Sequence, residues 1–273
     1  MKTSLSVIFI TKNEEFHIGA AIDNAMEIAE TVFVVDSGST DKTVAIAESH
    51  GATVLFHRFE GFGKQWNWAL ENCPVKSEWT MKMDPDERLG GELITEIRNA
   101  ILNGDFDGYS FKRVLYFMGR RLDSMTSEVV RIWKTGKCKF TDVAVNEHPI
   151  VNGRVVHLDG LMEHYDSRDL HQWIEKQNHY SSLEAIRWFK GDANAAKPKL
   201  FGTSLERRMW LKVAFFKLPF RYIVLRLYYY IIKGLWKSGY EGRAFVRYRI
   251  WNWRLREDKV REMRTVGRLV ALT

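Results

Sequence analysis

Leu5 to Ile10 is an apolar run that stops at Thr11-Lys12-Asn13-Glu14-Glu15. Behind it, Ile18, Ala21, Ile22, Ala25, Ile28 and Ala29 recur at three and four residues, the period of a helix with one buried face. Val32 to Val35 is a short β-branched run ending at Asp36-Ser37-Gly38-Ser39-Thr40-Asp41. There Ser39 or Thr40 is expected to cap a helix carrying Val44, Ile46 and Ala47. Thr53 to Phe56 reads as a third strand, followed by the loop Phe59-Glu60-Gly61-Phe62-Gly63 and a helix from about Lys64 to Glu71. Val75 to Met83 reads as the fourth strand. Strands alternating with helices predict an α/β fold with a mostly parallel sheet covered on both faces.

Beyond the fourth strand the pattern is less regular. A helix is expected over Leu93 to Asn103, and strands over Gly108 to Leu115 and Val129 to Lys134. Asp142 to Val156 reads as extended segments broken at Pro149 and at the Asn152-Gly153 turn signal. Leu170, Trp173, Ile174, Tyr180 and Leu183 suit a helix over residues 169–190. Asp192 to Gly202, with Pro198, is the candidate linker. The expected division is a catalytic domain over 1–190 and a basic, aromatic, mainly helical extension over 191–273.

In such sheets, ligands bind outside the carboxyl ends of the strands. Three polar clusters fall there: Thr11–Glu15, Asp36–Asp41 and Asp84–Arg88. Asp84-Pro85-Asp86 has D-x-D spacing, and carboxylates can hold a divalent cation against the growing charge of a departing diphosphate. Hard oxygen ligands suit Mg²⁺ or Mn²⁺. Pro85 fixes its own φ and biases Asp84 towards an extended backbone. Alone, D-x-D reads more often as an acidic surface turn; its position on the same edge as the other two clusters reverses that and favours a site. Glu87 and Arg88 are expected to pair with each other or to begin the next helix. Asp36 can accept from a uracil N–H or a ribose hydroxyl, with Thr11, Asn13 and Glu14 lining the same pocket. In Gly61-Phe62-Gly63-Lys64-Gln65-Trp66-Asn67, glycines precede a helix start, where backbone N–H groups and Lys64 can meet phosphate.

Charge changes the picture at the C-terminal end. Residues 201–273 hold 17 Lys/Arg against 5 Asp/Glu, although the whole chain carries only +7. Trp210 to Trp236 interleaves these bases with aromatic and aliphatic residues. The longest uncharged run there, Leu227 to Ile232, is far short of the roughly 20 residues of a membrane span. A helix lying in the headgroup region fits better, with helical packing on the first domain or on a second subunit as the alternative. Hydrophobic residues make up 45%, so a packed core is expected. Cys73 and Cys138 form no metal-ligand spacing and suggest a reducing compartment. The N-terminus has no signal-peptide pattern and reads as a core strand. Neither a G-x-G-x-x-G turn after the first strand nor a P-loop occurs, and no nucleic-acid recognition motif is present.

In this order, "SVIFITKNEE", "VFVVDSGSTDKTV", "GFGKQWNWAL", "MKMDPDERL" and "VAVNEHPIVNG" resemble the family 2 glycosyltransferases of the GT-A fold. They are most similar to the bacterial branch with lipopolysaccharide and lipooligosaccharide core β-1,4-glucosyltransferases. The likeness covers roughly residues 4–185. Where the family has D-A-D-E-R, this chain has Pro85 in place of alanine; where it has V-H-E, this chain has Val145-Asn146-Glu147. The resemblance implies inverting transfer from a UDP-sugar, UDP-glucose, to an envelope glycan. It further implies a metal held by Asp86, with Asp84 binding either the metal or the ribose, and a general base. Glu147 is the candidate base, with Asp142 and Asp123 as rivals. Arg131 is expected either to bind diphosphate, as a nucleotide-sugar-binding residue with Asn67 and Lys64, or to pair with an acid. His164, in "EHYD", is a candidate third metal contact or phosphate contact, and His148 a candidate substitute for the missing histidine. The implied setting is the inner face of the cytoplasmic membrane, with a lipid-linked acceptor and a possible homo-oligomer. The rival classes are a nucleotide-sugar-binding protein without catalysis and, from the basic tail, a nucleic-acid binder.

Overall fold

The computed structural model of the chain describes residues 4–141, 148–191, 199–202 and 204–269. The alternating pattern of the first 83 residues becomes β1 (Leu5–Thr11), α1 (Ile18–Met26), β2 (Thr31–Asp36), α2 (Thr43–Ser49), β3 (Thr53–Phe56), α3 (Phe62–Asn72) and β4 (Trp79–Met83). β5 (Glu87–Leu89), α4 (Gly91–Asn103), β6 (Gly108–Phe117), β7 (Arg120–Lys134), β8 (Cys138–Phe140), β9 (Pro149–Val151) and β10 (Val155–His164) follow. Among the described residues, eight strands form one sheet in the order β3-β2-β1-β4-β7-β6-β10-β5, and β8 and β9 pair separately. β3, β2, β1 and β4 are mutually parallel, whereas β4–β7 and β10–β5 are antiparallel.

Alternation along the strands builds a core on each face of the sheet. Leu5, Val7, Phe9, Val34, Met81 and Met83 pack with the apolar stripes of α1 and α4. Ile8, Phe33 and Val35 face the other way, against Trp66 and Ala69 of α3 and against Trp133 and Phe140. This is the α/β sheet, covered on both faces, that the hydrophobic pattern predicts.

Several local expectations are corrected. β4 begins at Trp79, not Val75, because the Val75 N–H donates to the Cys73 carbonyl at 2.7 Å and makes a tight turn. Ser39 and Thr40 do not cap α2, whose N-cap is Lys42 without a side-chain bond; just before it, Asp41 accepts from the Thr43 N–H at 3.0 Å and the Thr43 hydroxyl at 2.5 Å. Pro149 opens β9 instead of breaking a strand, at a first position where its missing N–H is tolerated. β7 starts nine residues before Val129, in a polar stretch without an apolar run to announce it.

Two compact units are present: Met1–Tyr116 with Met125–Asp166, and Phe117–Ser124 with Ser167–Thr273. The first holds most of the sheet. In the second, α5 (Leu170–Phe189), α6 (Ser204–Lys217), α7 (Arg221–Leu227) and α8 (Gly239–Val266) are joined by a π turn at Tyr228–Ile232 and a 3-10 turn at Leu235–Ser238. The expected boundary at 190/191 therefore moves to 166/167, since α5 packs on α8. The Lys259 ammonium of α8 donates to the Asn178 side chain and to the hydroxyls of Ser181 and Ser182, all at 2.7 Å. Phe117, Trp173, Phe245 and Tyr248 form an edge-to-face aromatic cluster in the same unit.

Candidate active site

Parallel pairing in register puts the ends of β1, β2 and β4 on one edge: Thr11 lies opposite Asp36, and Phe9 opposite Met83. The three polar clusters thus share the carboxyl edge of the sheet. The first two are laced together. Asn13 adopts φ 56°, a left-handed conformation that asparagine tolerates. Its N–H donates to the Ser39 hydroxyl at 2.8 Å, and its side-chain oxygen accepts from the Thr40 N–H at 2.8 Å. The Glu14 N–H donates to the Thr43 hydroxyl at 2.7 Å.

Asp36 is buried, and four donors converge on it: the N–H groups of Gly38 (2.8 Å) and Ser39 (2.9 Å), and the hydroxyls of Ser39 (2.5 Å) and Thr11 (3.3 Å). A carboxylate has about four lone-pair sites, so these donors fill it. The Thr11 bond is the longest, and is the one a ligand donor can displace most easily.

After β4 the chain turns through Asp84-Pro85-Asp86 into β5, whose three residues pair antiparallel with the end of β10. Here the structure separates carboxylates that look alike in sequence. Glu87 is fully buried and accepts from Arg113 at 2.9 Å, from the Asp84 N–H at 3.0 Å and from Arg131. Arg131, itself buried, also donates to Asp84 at 2.9 Å. Burial disfavours the Arg131 charge, but Glu87 and Asp84 more than offset it and hold the guanidinium protonated. For Asp84, burial opposes ionisation, but the Lys82 and Arg131 cations outweigh it and bring the carboxyl down to about 2. Arg131 is therefore an acid-pairing residue whose charge is engaged. Glu87 and Arg88 neither pair side chain to side chain nor start a helix. Arg88 instead donates to the carbonyls of Pro85 (2.7 Å) and His17 (2.9 Å), which clamps the turn.

Asp86 goes elsewhere. Pairing of β5 with β10 sets His164 opposite Glu87, and the Tyr165 N–H donates to the Asp86 carbonyl at 2.8 Å. His164 Nε2 then lies 3.3 Å from Asp86 Oδ2 and 4.0 Å from Asp166 Oδ1. One ligand atom from each of Asp86, His164 and Asp166 falls within 4.8 Å of the others, the one such group among the described residues. Two carboxylate oxygens and an imidazole nitrogen suit a hard-to-borderline divalent ion. Asp166 holds φ 40°, a left-handed conformation uncommon outside glycine. Asp84, expected to bind either ribose or metal, is not one of the three.

In the helix-start segment the polar side chains have separate partners. Lys64 is exposed and pairs with Glu60 at 3.4 Å. Asn67 holds the backbone of Phe140, donating to its carbonyl at 3.0 Å and accepting from its N–H at 2.8 Å, so its amide is committed to structure. Between them, the buried Gln65 amide reaches the edge, donating to Ser37 Oγ at 3.1 Å while its oxygen meets His57 Nδ1 at 2.7 Å. Lys82 is buried within β4, its ammonium 4.4 Å from the Trp66 ring centroid and beside Asp84. Glu147, Asp142 and Asn146 lie outside the described residues. Asp123 is exposed and paired with Arg121 at 2.6 Å in the second unit, and His148 is exposed, its N–H on the Thr141 hydroxyl at 3.0 Å.

An α/β sheet with acid-rich turns along its carboxyl edge defines a class that comparison makes specific. Residues 6–155 match the model of Glycosyl transferase family 2, more than half of the chain, and the chain belongs to that family. A glycosyltransferase of Rickettsia typhi is 30% identical over 227 residues, spanning 78% of this chain and 76% of its own. The lipopolysaccharide core biosynthesis glycosyltransferase LpsC of Rhizobium meliloti is 28% identical over 257 residues, 88% of this chain and 86% of its own. Among solved structures, S. aureus TarS 1-349 in complex with UDP-GlcNAc aligns over 98% of this chain and 93% of its own, with TM-score 0.44 and 17% identity.

Proposed function

We propose that the chain transfers glucose from UDP-glucose to a hydroxyl of an envelope glycan, a lipopolysaccharide core, in one inverting displacement. Family membership and the likeness to LpsC support the reaction and the acceptor class. The observation that carries the mechanism is the Asp86–His164–Asp166 group at the end of β4 and β10. These residues fit a divalent cation, Mg²⁺ or Mn²⁺, by donor chemistry and spacing. A bound cation supplies charge neutralisation for the departing diphosphate.

The chain's own residues do the rest. Asp36 receives the uracil N–H or a ribose hydroxyl where the Thr11 hydroxyl now sits. Asp84, fixed through one oxygen by Arg131, offers the other to ribose. Lys64 exchanges its exposed contact with Glu60 for the diphosphate. Glu147, the acid retained from the family's V-H-E, accepts the acceptor hydroxyl's proton as that oxygen bonds to the anomeric carbon and the bond to UDP breaks. A lipid-linked acceptor puts the chain at the inner face of the cytoplasmic membrane as a peripheral protein.

A donor screen tests this reading. UDP, GDP and dTDP release is measured from the corresponding sugar nucleotides with Mg²⁺ and with Mn²⁺. The expected result is divalent-dependent UDP release from UDP-glucose, lost in Asp86→Ala. Full metal-dependent release by Asp86→Ala overturns it.

A further inference from the structure

In the second unit, α7 and the π turn after it show reversed amphipathicity. Phe220, Ile223, Val224, Leu227, Tyr228, Ile231 and Ile232 recur at three and four residues and are all exposed, from 43% at Tyr228 to 78% at Phe220. An ordinary surface helix turns such a stripe inward. Here the stripe runs along roughly 18 Å of helix. Phe220 also adopts φ 57°, a conformation rare for a bulky residue, at a position with no burial to compensate. Among the described residues no helix is long and apolar enough to cross a membrane, so the stripe is not part of a span.

Two basic hollows border the same helix. One, of about 550 Å³, is lined by Tyr222, Ile223 and Arg226 together with Arg243, Arg247 and Arg254 of α8, and includes no acidic residue. These four arginines are exposed and make no ion pair among the described residues. The other, of about 460 Å³, joins Ile231 and Ile232 to Lys233, Lys237, Arg120 and Arg121. There Arg121 pairs with Asp123 and Arg120 with Glu241, whereas neither lysine makes an ion pair among the described residues.

We propose that this apolar ridge lies in an anionic lipid bilayer, its side chains below the headgroups, and that the two basic hollows receive lipid phosphates. The proposal deepens the peripheral-membrane part of the function above and does not depend on its chemistry. Exposed aliphatic and aromatic groups beside unpaired bases are the composition of an interfacial helix. Arginine and lysine stems reach along apolar surface with their charges at headgroup level, where Trp236 and the tyrosines also fit. A second copy of the chain suits the ridge less well. Two-fold pairing sets a patch against itself, and here it would oppose uncompensated arginines to one another.

The test is flotation of the full chain with vesicles of phosphatidylcholine alone and of phosphatidylcholine mixed equally with phosphatidylglycerol. The wild type should float only with the anionic vesicles and less at high salt. Leu227→Glu/Ile231→Glu should abolish flotation, and Arg243→Glu/Arg247→Glu should weaken it by at least about five-fold per charge removed. All four positions are exposed, so both variants should keep the wild-type melting temperature. Equal flotation with neutral vesicles, or either variant floating like the wild type, overturns the proposal. So does a lipid-free dimer that Leu227→Glu/Ile231→Glu converts to monomer. UDP release is read in parallel. Lost flotation with release unchanged supports docking, whereas flotation without release from any donor counts against the glycosyl-transfer reading alone.

Discussion

Glu87→Gln isolates the buried charge network beside the D-x-D turn. The carboxylate is fully buried and receives Arg113, Arg131 and the Asp84 N–H, so two guanidiniums are balanced by Glu87 and Asp84 together. The amide keeps the shape but removes one negative charge and turns an N–H₂ donor towards arginine donors. Removing one partner of a buried ion pair leaves the other uncompensated, at a cost of about 3–5 kcal/mol. For a chain of this size, 1 kcal/mol moves the melting temperature by about 2–4 °C, so a fall of roughly 10 °C is expected. Thermal and urea unfolding measure it. Adding Arg113→Met should recover part of the loss, because it removes the cation left unpaired. A single variant melting within about 3 °C of wild type would refute the assignment of Glu87 as the anchor of Arg131 and Asp84.

Two further outcomes follow from the same structure. Burial alone would raise the Asp41 carboxyl, but hydrogen bonds from the Thr43 hydroxyl and N–H and from the Glu15 N–H hold it below the usual value. Its contribution to stability is therefore complete above the ordinary carboxylate range and lost as pH falls through the lowered folded value. Asp41→Asn should flatten the acid limb of a stability–pH curve, and an unchanged limb contradicts the hold of these hydrogen bonds on the carboxylate. Burial pushes the Cys73 and Cys138 thiols up to about 12, so on the order of one in ten thousand is thiolate at pH 8. The native chain should resist iodoacetamide there and take up two equivalents in urea; rapid alkylation of the native chain contradicts the burial.

How much of this could be read from the sequence differs by element. β1 to β3, α1 and α3 announce themselves because apolar runs and three-to-four-residue recurrences are local signals. β5 does not, because three residues carry no period, yet its pairing with β10 brings Asp86 to His164. Asp84 and Asp86 look equivalent in sequence; their separation depends on Arg131, 47 residues from Asp84, and on His164, 78 from Asp86. Nothing local marks Glu87 as an anchor, because its partners are 26 and 44 residues away. Lys82 lies inside the fourth strand, where only its packing on Trp66 and its place beside Asp84 give it a role, and nothing local to "EHYD" sets Asp166 apart from an ordinary turn aspartate. Gln65 lay between Lys64 and Asn67, and only the helix phase shows that it is the one pointing to the β2 end.

The measurement closest to the central claim is Mn²⁺ binding in the presence of UDP, followed by electron paramagnetic resonance, across Asp86→Asn, His164→Ala, Asp166→Asn and Asp84→Asn. One bound ion is expected in the wild type, with affinity at least about ten-fold weaker in each of the first three variants. Asp84→Asn should change it far less. Wild-type Mn²⁺ affinity in Asp166→Asn and His164→Ala, with the loss confined to Asp84→Asn, would contradict it.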